Sequence, residues 1–224
     1  MFLLKSRFSR INREGFYIAS RISVSVYFAV FVACVLVLDS SGLAAFALFC
    51  ALIHECGHIA ALYLYKVPVH KISFRLFGIE IVRCHGAVLG YRQEIALALA
   101  GCAANLAACV PAAVLWNFGI FPRQSGEILM LNLLLCLFNL LPIGPLDGGQ
   151  ALEAALCQKV RCETAEKIVN IMSVILIIPL VCAGVYLLKT TGYNLSLIAA
   201  SVYLAVALVI KNKGTIKHQT RQNR

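Results

Sequence analysis

Six apolar runs divide the 224-residue chain: Ile22 to Leu38, Gly42 to Tyr65, Ile95 to Asn117, Ile128 to Leu141, Ile171 to Leu188 and Leu195 to Ile210. A hydrocarbon core about 30 Å thick takes roughly 20 helical residues, with a range of about 17 to 25, so the fourth and sixth runs are short and the other four suffice. The spacing predicts an all-α membrane protein of about six transmembrane helices. The composition excludes the main alternatives, because 61% hydrophobic against 13% charged residues fits neither a disordered chain nor a water-exposed enzyme surface.

The charge pattern supports a membrane topology. Of 20 basic residues, 18 fall in 1–21, 66–92, 159–167 and 211–224, on alternate sides of the apolar runs, while the intervening stretches hold only Arg123 and Lys189. Under the positive-inside rule this predicts both termini on the cytoplasmic side, in the manner of a bacterial cytoplasmic-membrane protein. The net charge of +10 is thereby a topology signal, and nucleic acid is not expected as a partner. The expected organisation is a basic segment at 1–21, a polytopic membrane domain at 22–210 and a basic tail at 211–224. The first run follows a long basic leader without a small-residue cleavage site, so it is read as a retained helix.

Ten cysteines are present, seven of them inside apolar runs, where a thiol behaves as a small hydrophobe. No C-x-x-C pair occurs, and the thiols are expected to be reduced. Between the second and third runs, Ile72, Phe74, Leu76, Ile79 and Ile81 alternate around Gly78 and Gly86, which predicts a short β-hairpin region between helices 2 and 3.

The second run contains His54-Glu55-Cys56-Gly57-His58, an H-E-x-x-H pattern. Residues four apart on a helix differ by about 40° in direction and about 6 Å in rise, so both imidazoles can reach one cation. Zinc takes such nitrogen ligands, and Glu55 can accept a proton from the attacking water. A shuffled chain of this composition gives roughly 0.005 matches, so chance explains the pattern poorly. Ionisable groups at mid-span cost on the order of 2.5 to 3.5 kcal/mol each, which polar packing between helices does not readily offset and a metal does. A catalytic zinc site needs a third protein ligand. Asp39, His70, His85 and Asp147 are the candidates, and Asp147 is the best placed, because it follows Asn139-Leu-Leu-Pro142-Ile-Gly144-Pro145-Leu, where prolines and glycines end the fourth run on the side of the histidines.

These two segments resemble the site-2 protease family of intramembrane zinc metalloproteases (M50), nearest to its bacterial sporulation stage IV branch. Asn139, Pro142, Asp147 and Gly148 follow the family's N-x-x-P-x-P-x-x-D-G pattern, although Gly144 stands near the usual second proline. Ala100 to Asn105 is similar to the family's A-G-P-x-x-N, with Cys102 at the proline position. The resemblance implies one zinc ion per chain held by His54, His58 and Asp147, with Glu55 as general base. It implies that Asn139, Pro142 and Gly148 shape the active-site loop. It also implies a membrane-embedded or membrane-tethered protein substrate, such as a pro-sigma or anti-sigma factor, and regulatory membrane proteins as further partners. No CBS or PDZ domain is expected. The region Ser73 to Gly90 would hold an extended substrate or plug the cavity.

A non-proteolytic metal-binding or metal-transport protein is the competing reading. Transport wants a relay of ligands across several spans, and no further His, Asp or Glu lies at a span centre.

Overall fold

The computed structural model describes residues 21–75, 78–83, 89–191 and 196–222. Two compact units divide at residue 138.

The first unit opens with β1 (Arg21–Val24), α1 (Val26–Leu38) and α2 (Leu43–Leu64). The strands β2 (Val69–Arg75) and β3 (Gly78–Arg83) follow, then α3 (Tyr91–Asn117) and α4 (Pro122–Asn139), whose last residue begins the second unit. The sheet has the order β1-β2-β3. β1 runs parallel to β2 in the register Arg21 with Lys71 to Val24 with Phe74, and β2 runs antiparallel to β3 from Val69 with Arg83 to Arg75 with Gly78. Ser23 Oγ donates to Ser73 Oγ across the first pairing at 3.1 Å. Beside the sheet, Ala61, Leu62, Val67, Val69 and Leu97 form a buried apolar cluster that ties the end of α2 to β2 and α3.

Close helix packing in this unit follows from small residues and thiols. A Cβ on Gly57 of α2 would lie 2.5 Å from Ala100 O and 2.7 Å from Ala104 Cβ of α3, so only glycine permits this approach. Cysteines then bridge helices as weak donors: Cys102 Sγ to Cys136 O at 3.7 Å, Cys109 Sγ to Leu129 O at 3.8 Å and Cys50 Sγ to Ile128 O at 3.9 Å. Asn132 of α4 donates through Nδ2 to Cys50 Sγ at 3.1 Å. All nine described cysteines are free thiols.

The second unit holds the turn after α4, then α5 (Asp147–Cys157), α6 (Cys162–Thr191) and α7 (Ser196–Gln222). Ile143 in the turn, Val169 of α6 and Leu204 of α7 are each fully buried, at 0% exposure.

The expected all-α architecture with only a short β-hairpin between helices 2 and 3 is corrected, and of its six spans three are matched by long apolar helices. A mixed three-stranded sheet is present, and its first strand takes Arg21-Ile22-Ser23-Val24, the start of what was read as the first span. Those four residues alternate polar with apolar, which is the period of a strand. Among the described residues, three helices are long and apolar enough to cross a membrane: α2, α3 and α6. Once β1 is removed, α1 keeps 13 residues, about 20 Å of helix and short of a hydrocarbon core. α4 begins with polar Pro122-Arg-Gln-Ser-Gly-Glu127. Most of residues 1–21, part of Ser73 to Gly90 and the end of the basic tail lie outside the described residues.

Large apolar side chains face outward along the helices, among them Val37, Leu64, Val110, Met130, Ile175 and Tyr186. Apolar surface this extensive is stable against lipid and not against water.

Candidate metal centre

His54 and His58 stand midway along α2, one turn apart. Their Nε2 atoms are 3.2 Å from each other, with ring centroids 4.9 Å apart and ring planes at 79°. His54 is buried and His58 half-buried. His58 Nδ1 lies 2.9 Å from Leu97 O of α3. A carbonyl only accepts, so Nδ1 carries the hydrogen and Nε2 turns a lone pair toward His54. Backbone orientation of the distal ring nitrogen is the usual device by which a metal-binding histidine is fixed.

The pair passes a metric test for zinc. Nitrogens about 2.0 to 2.1 Å from a tetrahedral ion stand about 3.3 Å from each other. The observed separation of 3.2 Å matches that span without rearrangement of α2.

α3 supplies the wall behind the rings. A Cβ on Gly101 would lie 2.5 Å from His58 Nε2 and 2.6 Å from both Cε1 and Nε2 of His54. The imidazoles therefore occupy the space that any side chain at 101 would fill. One turn on, Asn105 is fully buried, and neither amide atom has a hydrogen-bond partner among the described residues. Glu55, half-buried, follows His54 directly on α2.

In the second unit Asp147 is the first residue of α5, with Leu146 as N-cap, and is half-buried. A helix N-terminus favours the ionised carboxylate that a metal ligand requires. The turn before it is fixed by short backbone bonds, Ile143 N to Leu141 O at 2.7 Å and Leu146 N to Ile143 O at 2.8 Å. Asn139 ends α4 and Pro142 sits within the turn, both half-buried. A Cβ on Gly148 would run into the carbonyls of Leu140 and Leu141, and one on Gly149 into that of Ile143, so the two glycines let α5 fold back onto the turn.

Of the other candidate ligands, Asp39 is otherwise engaged. Its carboxylate accepts from Ser41 Oγ at 2.5 Å, Ala44 N at 2.6 Å and Ser41 N at 2.9 Å. It thus caps the start of α2, about 15 Å of helix rise away from His54. The Ser41 hydroxyl first, then the Ala44 N–H, hold its carboxyl below the usual carboxylate range. The side chain of His70 and all of His85 lie outside the described residues. Leu97 O and Gly101 were not foreseen as parts of the site. Gly101 did stand in a singled-out motif, whereas a backbone carbonyl leaves no trace in a sequence.

The chain matches the model of Peptidase family M50 over residues 126–180, which takes in most of α4, the Asp147 turn, α5 and the first part of α6. Its fold is similar to that of the "Site-2 Protease from Methanocaldococcus jannaschii", with a TM-score of 0.62 and 20% identity over 92% of this chain and 94% of the other. Residues 126–180 thus resemble Peptidase family M50, and the fold is that of a site-2 protease. No curated protein matches the chain. Among the described residues three helices are long and apolar enough to cross a membrane, and His54, His58 and Asp147 are residue types that bind a metal ion. The matched segment does not include α2, so the histidine pair is an observation separate from that match.

Proposed function

We propose that the protein cleaves a peptide bond in or near the membrane segment of a membrane-associated regulatory protein, with a pro-sigma or anti-sigma factor as the substrate class. His54, His58 and Asp147 hold one zinc ion, Glu55 is the general base, and Asn139, Pro142 and Gly148 shape the loop around the scissile bond. The protein is multi-pass in a bacterial cytoplasmic membrane, with its basic ends on the cytoplasmic side and with regulatory membrane proteins as further partners.

The observation that carries this reading is the 3.2 Å approach of two oriented imidazole nitrogens within an apolar helix. Zinc, when bound, supplies Lewis acidity and makes water acidic enough to ionise near neutral pH. The protein's own residues do the rest. His58 keeps a fixed tautomer through Leu97 O, and Gly101 leaves room for both rings. Glu55, next to His54, takes the proton of the attacking water and returns it to the leaving amine. An irregular turn rich in proline and glycine lies beside Asp147 and admits the water that hydrolysis consumes.

The test is a reconstituted assay with a membrane-tethered reporter. Wild type cleaves it, a chelator stops cleavage, and added zinc restores it. Asp147→Ala is expected to lose both zinc and activity. Stoichiometric zinc in that variant removes Asp147 from the ligand set, and cleavage that survives full chelation overturns the proposal.

A further inference from the structure

Gly144 lies three residues before Asp147, buried in the turn, and both of its backbone polar groups are engaged by side chains from later helices. Its N–H donates to Ser173 Oγ of α6 at 2.8 Å, and that hydroxyl donates in turn to Val169 O at 2.6 Å. Its carbonyl accepts from Lys211 Nζ of α7 at 3.1 Å. Lys211 Nζ also pairs with Glu153 Oε2 of α5 at 2.6 Å, each side chain being 28% exposed.

The arrangement is more than a satisfied turn. Lys211 follows the apolar stretch of α7, where a lysine ordinarily extends toward the lipid headgroups. Here it turns inward and joins two points of the Asp147 segment, the turn before it and the helix after it. Ser173 holds the preceding peptide through the Gly144 N–H, and a Cβ on Gly144 would meet Lys211 Nζ at 3.5 Å and Asn170 Oδ1 at 3.7 Å. A water molecule could satisfy the Gly144 carbonyl; a charged side chain that also grips α5 fixes a position.

We infer that Ser173 and Lys211 are positioning residues that set where α5 presents the Asp147 carboxylate. The inference rests on the proposed role of Asp147 as a ligand. Second-layer partners of metal ligands contribute about 10- to 100-fold to metal affinity.

The test uses the full chain in detergent, with cobalt(II) as the probe, chelator competition for affinity and the visible absorption band for ligand geometry. Ser173→Ala and Lys211→Met are each expected to weaken cobalt binding about 10- to 100-fold and to shift the band. Lys211→Arg, which can still donate to both acceptors, restores the wild-type band. Thermal unfolding of the metal-free protein separates this from general destabilisation. Because Lys211→Met strands Glu153, the Lys211→Met/Glu153→Gln pair provides a variant without an unpaired carboxylate. Wild-type affinity and spectrum in Ser173→Ala and in that double variant overturn the inference. Asp147→Ala is the control that separates the two readings. If it too leaves the cobalt band unchanged, the ligand assignment fails and the inference with it; if it abolishes the band while the others do not, only the positioning role fails.

Discussion

The Nε2 atoms of His54 and His58 face each other at 3.2 Å, and the Leu97 carbonyl fixes which nitrogen of His58 bears the hydrogen. With His58 Nε2 as acceptor, a hydrogen on His54 Nε2 bridges the pair, and a bound cation would replace that hydrogen and offset the cost of holding two imidazoles within an apolar helix.

Gly101→Ala tests that arrangement directly. The new Cβ would sit 2.5 Å from His58 Nε2 and force both rings to move. Zinc affinity is expected to fall by at least about tenfold, as measured by chelator competition, because a metal site tolerates little displacement of its ligands. Gly57→Ala is expected to act differently. There the obstruction is the Ala100 carbonyl at 2.5 Å, a rigid backbone atom, so α2 and α3 must separate. That change is expected to lower stability by about 1 to 3 kcal/mol with or without zinc, read by thermal unfolding.

Glu55→Gln preserves size and polarity but cannot act as a base. Cleavage of the tethered reporter is expected to fall about 10²- to 10⁴-fold, while elemental analysis finds zinc at the wild-type level. Cleavage at the wild-type rate would assign the proton transfer elsewhere.

The histidine pair was legible because its chemistry is local, five residues on one helix turn. The Asp147 turn was legible for a similar reason, since prolines and glycines advertise an irregular backbone. Gly101 was ambiguous: small residues at 100–104 signal close packing equally well, and only the path of α3 brings that glycine under the imidazoles. β1 was misread because four alternating residues adjoin an apolar run, and their pairing with β2 joins Arg21 to Lys71, far apart in the chain. Counting apolar length alone also credited the first run with residues that belong to the sheet.

Gly148→Ala is expected to disturb the turn more than an exposed glycine would. Its Cβ has no space between the carbonyls of Leu140 and Leu141, neither of which can rotate away. A loss of about 1 to 3 kcal/mol is expected, together with loss of cleavage. Gly119→Ala makes a suitable comparison for contact, because nothing lies within 4 Å of its Cβ position, and its positive φ of 68° adds only backbone strain. Cleavage retained by Gly119→Ala and lost by Gly148→Ala, at matched protein level, would separate the two effects.

Cys157 provides a pH-dependent probe of the α5 to α6 junction. Burial first, then the hydrogen bond and charge of the neighbouring Cys162 and the charge of Glu153, push its thiol up from about 9 to about 12. Only the thiolate reacts with maleimides, so a raised value keeps the neutral thiol, and its protection, to higher pH. At pH 8 a far smaller share of Cys157 is ionised than the about one in ten of an ordinary thiol of pKa near 9. Peptide-level mass spectrometry is therefore expected to find Cys157 unlabelled at pH 7 to 8 in the folded protein. Labelling should climb steadily to pH 11 instead of levelling near pH 9. Unfolding in denaturant should restore the ordinary profile. Rapid labelling at pH 8 in the folded state would mean that the junction is open to solvent and that α5 is not held against α6 as described.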